Sequence, residues 1–244
     1  MDKQRFIAAC ERVINAERKR NGIGTLGEKT LHMVLKCYCE PDECKHEIKI
    51  GRNVADICDS EQITEIQSRS FDKMRKKLEV FLDEYIVTIV YPIPSTKWLI
   101  WIDEESGEVT QKRKSPKRGK IHEILYELYK IKPFLLHPNL RLRIILLDIE
   151  EYRYLNGWSK DKKKGSSRCD RIPVDIVGEV TINGAADYAR FLPDEINEVF
   201  TSADYHKATK LGRGRASTAL NILNHMGVVK QVGKKGNAYL YERG

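Results

Sequence analysis

The sequence contains no apolar run approaching the roughly 20 residues that a membrane span needs, no internal repeat and no long low-complexity tract. Its opening stretch, MDKQRFIAACERVINAERKR, reads as a charged amphipathic helix and lacks the uninterrupted apolar core of a secretory signal. These absences argue against a helical membrane protein and place the protein in the cytosol. Cysteine is sparse, six in 244 residues, which suits free thiols in that compartment. Cys37, Cys39 and Cys44 cluster ahead of His46, but without a C-x2-C knuckle or a second ligand pair, so the spacing is poor for structural zinc.

What is present is charge. Hydrophobic residues at 41% and charged residues at 32% describe a globular chain, long enough for one large domain or two modules. The net charge of +8 is clumped rather than spread. The stretch QKRKSPKRGK (111–120) holds six basic residues and no acid, and SKDKKKGSSRCDR (159–171) is similar. Such runs are either solvated loops or sites for a polyanion, and clustered Lys and Arg neutralise a nucleic-acid backbone well.

Periodicity predicts a helical arm over 1–24, broken by Asn21, Gly22 and Gly24. A second helix follows, with Leu31, Val34, Leu35 and Tyr38 at helical spacing, ended by Pro41. HEIKIG, NVADIC and QITEIQ read as three short strands with hairpin-length connections. Residues 70–85 form an amphipathic helix, and IVTIVYPI is a strand buried on both faces. KWLIWID and GEVTQKR read as a hairpin, with a helix over 119–132 and another apolar strand to about residue 155. The order helix, three strands, helix, strand implies an α/β layer with a mixed sheet over 25–158. A basic linker or loop is expected over 159–176. Residues 177–244 read as three helices and a hairpin turning at GKKGN, the pattern of a winged helix-turn-helix.

Two acids interrupt the strands. Asp56 lies in an apolar run, and Glu65 follows nine positions later with Gln67 beyond it. If the strands pair, a hairpin register sets Asp56 beside Glu65, where two carboxylates and a backbone carbonyl such as that of Ile66 suit a hard divalent ion, Mg²⁺ or Mn²⁺. Structural readings stand beside this one: Asp56 paired with Arg52 or Lys49, and Glu65 facing solvent.

The stretch GRNVADICDSEQITEIQ, in its αβββαβ setting, resembles the PD-(D/E)xK nuclease superfamily. The resemblance covers residues 24–93 and implies a restriction-endonuclease-like core that hydrolyses phosphodiesters with Mg²⁺. It implies Asp56 and Glu65 as metal ligands, with Glu28 on the preceding helix completing the site. Gln67 stands where the family has lysine. It can orient a water but cannot offset negative charge.

In GRGRASTALNILNHMG, Arg213, Arg215, Ser217, Thr218 and Asn221 lie at the start or outer side of the expected recognition helix, suited to base edges and phosphates. Lys234 and Lys235 fall on the wing, and Lys114, Lys117 and Arg118 in the basic loop. Two functions fit: a Mg²⁺-dependent DNA endonuclease, or a catalytically inactive nuclease-fold protein that binds DNA as a regulator or assembly factor. The domain order is compatible with a homodimer, and with a protein partner in a transposition or defence complex.

Overall fold

A computed structural model of the chain describes residues 1–21, 30–103, 105–158 and 164–244. Its centre is a mixed sheet of seven strands. β1 (His46–Ile50), β2 (Asn53–Asp59) and β3 (Gln62–Ile66) form an antiparallel meander at one end. β4 (Ile86–Ile102) lies parallel to β3, and β6 (Leu140–Trp158) parallel to β4. β7 (Lys164–Ile182) returns antiparallel along the other edge. The short β5 (Arg113–Lys114) pairs with Trp98 and Leu99 of β4, and Val109 bridges Ile102, so the expected hairpin is reduced to brief contacts.

Parallel pairing requires crossovers, and helices supply them. A 3₁₀ turn (Phe71–Met74) and α3 (Arg75–Glu84) connect β3 to β4. α4 (Ile124–Leu128), flanked by 3₁₀ turns, connects β5 to β6. Both faces of the sheet are buried. Alternation along β6 sends Leu142 and Ile144 to one core and Ile145, Leu147 and Ile149 to the other. The second core is covered by α1 (Lys3–Asn21) and α2 (Thr30–Cys39). α1 is thus no free arm: Phe6, Ala9 and Val13 are buried, and the Phe6 ring meets Tyr38 edge-on at 5.7 Å.

The expected linker over 159–176 is corrected by the structure from residue 164 onward. Residues 164–176 belong to β7, as do 177–182, whose ladder with β6 runs through the boundary expected at 177. An edge strand tolerates charges and a proline that a central strand would not, so Pro173 and the flanking Arg and Asp residues disguise a strand as a loop. Residues 159–163 lie outside the described residues.

Beyond β7 come a 3₁₀ helix (Ala185–Phe191), β8 (Val199–Thr201), α5 (Ser202–Thr209), α6 (Arg213–His225), β9 (Val229–Lys235) and β10 (Ala238–Arg243). The strands form a second sheet in the order β8-β10-β9. α5 begins with a capping box between Thr201 and Asp204. Tyr205, Leu220 and Leu223 continue the core of α3 and α4, so this unit packs on the central sheet. Among the described residues no helix is long and apolar enough to cross a membrane.

His122 sits in that packing, its ring 6.2 Å from the ring centroids of Phe191 and Tyr205. Burial, then the charge of Lys120, hold its pKa down to about 4. The unfolded chain takes up this proton near pH 6.5 and the folded chain only near 4, so stability present above pH 6.5 is lost as pH falls through that window, by up to about 3 kcal/mol. Urea unfolding of His122→Leu is expected to lose less stability than the parent between pH 7 and pH 4.5; an identical loss in both proteins overturns the assignment.

Candidate functional site

The β2–β3 ladder holds from Asp59↔Gln62 to Ile57↔Thr64 and then opens. At the next position the backbone bonds are replaced by side chains. The N–H of Asp56 donates to Glu65 Oε1 at 3.3 Å, and the N–H of Ile66 donates to Asp56 Oδ2 at 2.7 Å. The fork therefore seats two carboxylates between parting strands, where each satisfies a donor that would otherwise be orphaned. The expected juxtaposition of Asp56 and Glu65 is present.

The pair draws partners from both helical layers. His32 of α2 shares a hydrogen bond of 3.0 Å with Asp56 Oδ2. Lys77 of α3 donates to both oxygens of Glu65, at 3.1 and 2.9 Å. Glu65 is 4% exposed. Burial and then the charge of Asp56 push its pKa up to about 6, against the pull of Lys77. Burial also opposes ionisation of Asp56, but the hydrogen bond and charge of His32 and the N–H of Ile66 outweigh it and hold its pKa below the ordinary value. The two carboxylates, one held ionised and one resisting it, are hard oxygen donors of the kind a divalent cation takes, and His32 and Lys77 already bond them. Among the described residues, no three His, Cys, Asp or Glu side chains gather as a metal-holding group. Glu28, the expected third acid, lies outside the described residues.

Gln67 stands at the strand exit with its side chain turned to another task. Its amide nitrogen donates to the carbonyls of Arg69 at 2.6 Å and Ser70 at 3.4 Å. These bonds pin a turn in which Ser70 adopts φ +60°, the left-handed region disfavoured for residues other than glycine. The cation at the acid pair is Lys77. Its signal was in the sequence: Met74, Lys77 and Phe81 fall at i, i+3 and i+7, so the lysine occupies the inward stripe of its helix. His32 and Arg171 carried no comparable mark.

Beside the fork opens a cleft of ≈ 310 Å³ whose polar lining includes His32, Gln67, Ser68, Arg69, Lys73 and Arg171. The other expected nucleic-acid contacts lie elsewhere. Lys114, Lys117 and Arg118 are exposed on β5 and the loop after it, with Lys112 and Lys114 over the half-buried ring of Trp98 at 4.6 and 5.8 Å. On α6, Arg213 and Ser217 are exposed, while Thr218 donates back to the carbonyl of Gly214. Arg215 lies over Tyr126 at 5.2 Å, and Asn221 accepts from Lys132 at 2.9 Å, so the outer side of α6 merges with the surface of α4 and its following turn. Lys234, over Tyr239 at 4.8 Å, and Lys235 are exposed on β9.

The raised pKa of Glu65 means that its ionisation opposes folding. The opposition sets in as pH rises from the unfolded value of about 4.5 and is complete above about 6. Without added metal, Glu65→Gln is therefore expected to gain on the order of 1–2 kcal/mol over the parent at pH 7.5 and nothing at pH 4. Equal stability of the two proteins at pH 7.5, by urea unfolding, counts against a strained acid pair.

The chain is similar to an uncharacterised protein of Treponema pallidum (strain Nichols), with 26% identity over 223 residues, 91% of this chain and 87% of that protein. No solved structure matches it. A family model described as a domain of unknown function (DUF8091) matches residues 29–183, a span that takes in the fork, the cleft and the whole central sheet, and the chain belongs to that family.

Proposed function

We propose that the protein is a metal-dependent deoxyribonuclease of the restriction-endonuclease-like kind, hydrolysing phosphodiester bonds in DNA held by its basic loops and a C-terminal winged helix. The observation that carries this reading is the fork that joins Asp56, Glu65 and Lys77 beside a cationic cleft. Asp56 and Glu65 would hold Mg²⁺ or Mn²⁺, with Glu28 as the remaining acid. The ion, when bound, supplies Lewis-acid polarisation of the phosphodiester and activation of a water. His32 keeps Asp56 oriented and ionised. Lys77 takes the part that Gln67 cannot fill, presenting a positive charge where negative charge develops, while Gln67 holds the turn that shapes the cleft.

The C-terminal unit supports the DNA reading by its element order, by the exposed Arg213 and Ser217 at the start of α6 and by the lysines on its hairpin. Its basic outer face complements a phosphate backbone.

Two observations favour a second reading, a catalytically inactive DNA-binding protein: Lys77 already pairs with Glu65, and the amide of Gln67 is committed to its turn. Thermal melts separate the two, because a ligand that binds only the folded state stabilises it. The nuclease reading expects Mn²⁺ to raise the melting temperature of the parent and to leave that of Asp56→Ala unchanged.

Cleavage of labelled linear, nicked, forked and four-way DNAs with Mg²⁺ or Mn²⁺ is expected to fall to background in Asp56→Ala and in Glu65→Ala. Lys77→Ala is expected to lose about a hundredfold, with DNA affinity largely kept in all three. Activity that survives both acid substitutions sinks the site. Arg213→Ala with Arg215→Ala is expected to weaken DNA binding and to flatten its salt dependence by about two phosphate contacts; unchanged affinity removes α6 from the interface.

A further inference from the structure

The C-terminal unit meets the central unit through α4 and the turn after it, and these contacts continue out to the surface of α6. The buried side chains of α6 are Ala216, Ala219, Leu220, Ile222 and Leu223. Arg213, Ser217, Asn221 and Asn224 form its exposed stripe. Lys132, in the turn after α4, reaches this stripe, its ammonium donating to Asn221 Oδ1 at 2.9 Å. Arg215 lies over the exposed ring of Tyr126 at 5.2 Å, a cation–π contact between the units. We propose that the DNA seat is composite: a duplex whose major groove receives the exposed stripe of α6 has its backbone held by Lys132 and Arg75 of the central unit. The claim rests on the nuclease and winged-helix reading for DNA as the ligand, whereas the shared surface stands on the contacts between the units.

Shape and charge select a duplex. The major groove, about 12 Å wide, admits an α-helix, and a polar stripe flanked by cations matches base edges flanked by phosphates. An ammonium has three donors, so Lys132 can bond Asn221 and a phosphate oxygen together. Arg75, exposed at the start of α3, is oriented by the bond from its Nε to the carbonyl of Lys130 at 2.6 Å. Lys130 itself is engaged by Glu127 and Asp72, at 2.9 and 3.7 Å, and adds little net charge. The same segment leads to the fork. Glu127 accepts from the N–H of Phe71 at 3.0 Å, Lys73 lines the cleft, and Lys77 bonds Glu65. Burial and then the charges of Glu127 and Glu123 raise the pKa of the Tyr91 phenol, while Arg215 of α6 and Arg171 of the cleft pull it down, so one hydroxyl senses both ends of the surface. α4 is thus braced against α6 on one side and against the approach to the acids on the other. A duplex seated on α6 and Lys132 is thereby held in a fixed relation to the acid pair.

The test uses the full chain in EDTA, so it is independent of cleavage, and follows affinity for a labelled DNA duplex as salt is raised. Lys132→Gln, whose amide can still bond Asn221, and Arg75→Gln are each expected to flatten the slope of log affinity against log salt by about 0.9, one phosphate contact. Lys132→Arg is expected to keep the parent slope, so that the loss is read as one of charge and not of fold. Tyr126→Ala, which removes the support under Arg215, is expected to weaken binding, whereas Tyr126→Phe keeps it. Lys3→Gln, on α1 over the opposite face of the sheet, controls for net charge and is expected to leave the slope unchanged. Parent slopes in both Lys132→Gln and Arg75→Gln, with Arg213→Ala still impaired, overturn the composite seat and leave the DNA reading standing. Absence of salt-sensitive binding by the parent overturns both. Displacement of the labelled duplex by poly-glutamate as effective, charge for charge, as displacement by unlabelled duplex makes the surface a seat for acidic protein and overturns the proposal as well.

Discussion

β4 and β6 are buried on both faces, and the rest of the molecule follows from that constraint. A sheet with apolar side chains above and below needs a helical layer on each side, and parallel neighbours need helical crossovers to reach one another. α1 and α2 cover one face, and α3 and α4 cover the other together with the C-terminal unit. Inside such a sandwich polar side chains are costly unless paired. The acid pair lies where the constraint relaxes, at the point where β2 and β3 part and open backbone N–H groups donate to the carboxylates.

That location explains the electrostatics. Each acid is reached from a different helical layer, Asp56 by His32 and Glu65 by Lys77, so the two layers are tied together through the sheet. The partners differ in kind, and so do the environments they create. Asp56 is stabilised as an anion by a hydrogen bond and a backbone donor, whereas Glu65 bears the charge of Asp56 together with its own burial. Opposed pKa shifts within one small cluster recur at functional sites and arise in structural ion-pair networks as well.

A second junction shapes the surface. The C-terminal unit docks through Phe191, Tyr205 and the face of α6 that carries Leu220 and Leu223, into the same core that α3 and α4 build. Arg215 over Tyr126 and the bond between Lys132 and Asn221 then bind the outer side of α6 to the central unit. Cations from both units thereby share one surface. Two modules joined by a loose linker would have no such fixed relation.

The sequence by itself determined the element order from α2 to β4. Helical spacing in Leu31, Val34, Leu35 and Tyr38, the three short strands and the apolar run from Ile86 are local signals that tertiary contacts did not override. It also marked Asp56 and Glu65, since a hairpin register alone sets them opposite. Tertiary structure decided what lies far apart in the chain. β7 is a strand only because β6 offers it a ladder, and its edge position excuses the charges that hid it. Lys77, 12 residues beyond Glu65, becomes its partner only when the crossover helix folds back over β3, and His32 meets Asp56 only across the sheet. Gln67, placed by its position in the motif beside the acids, instead spends its amide on a turn, because short-range carbonyls of Arg69 and Ser70 satisfy it first. Strand and helix periodicity are written in neighbouring residues; the chemistry of the fork depends on which distant side chains packing brings to it.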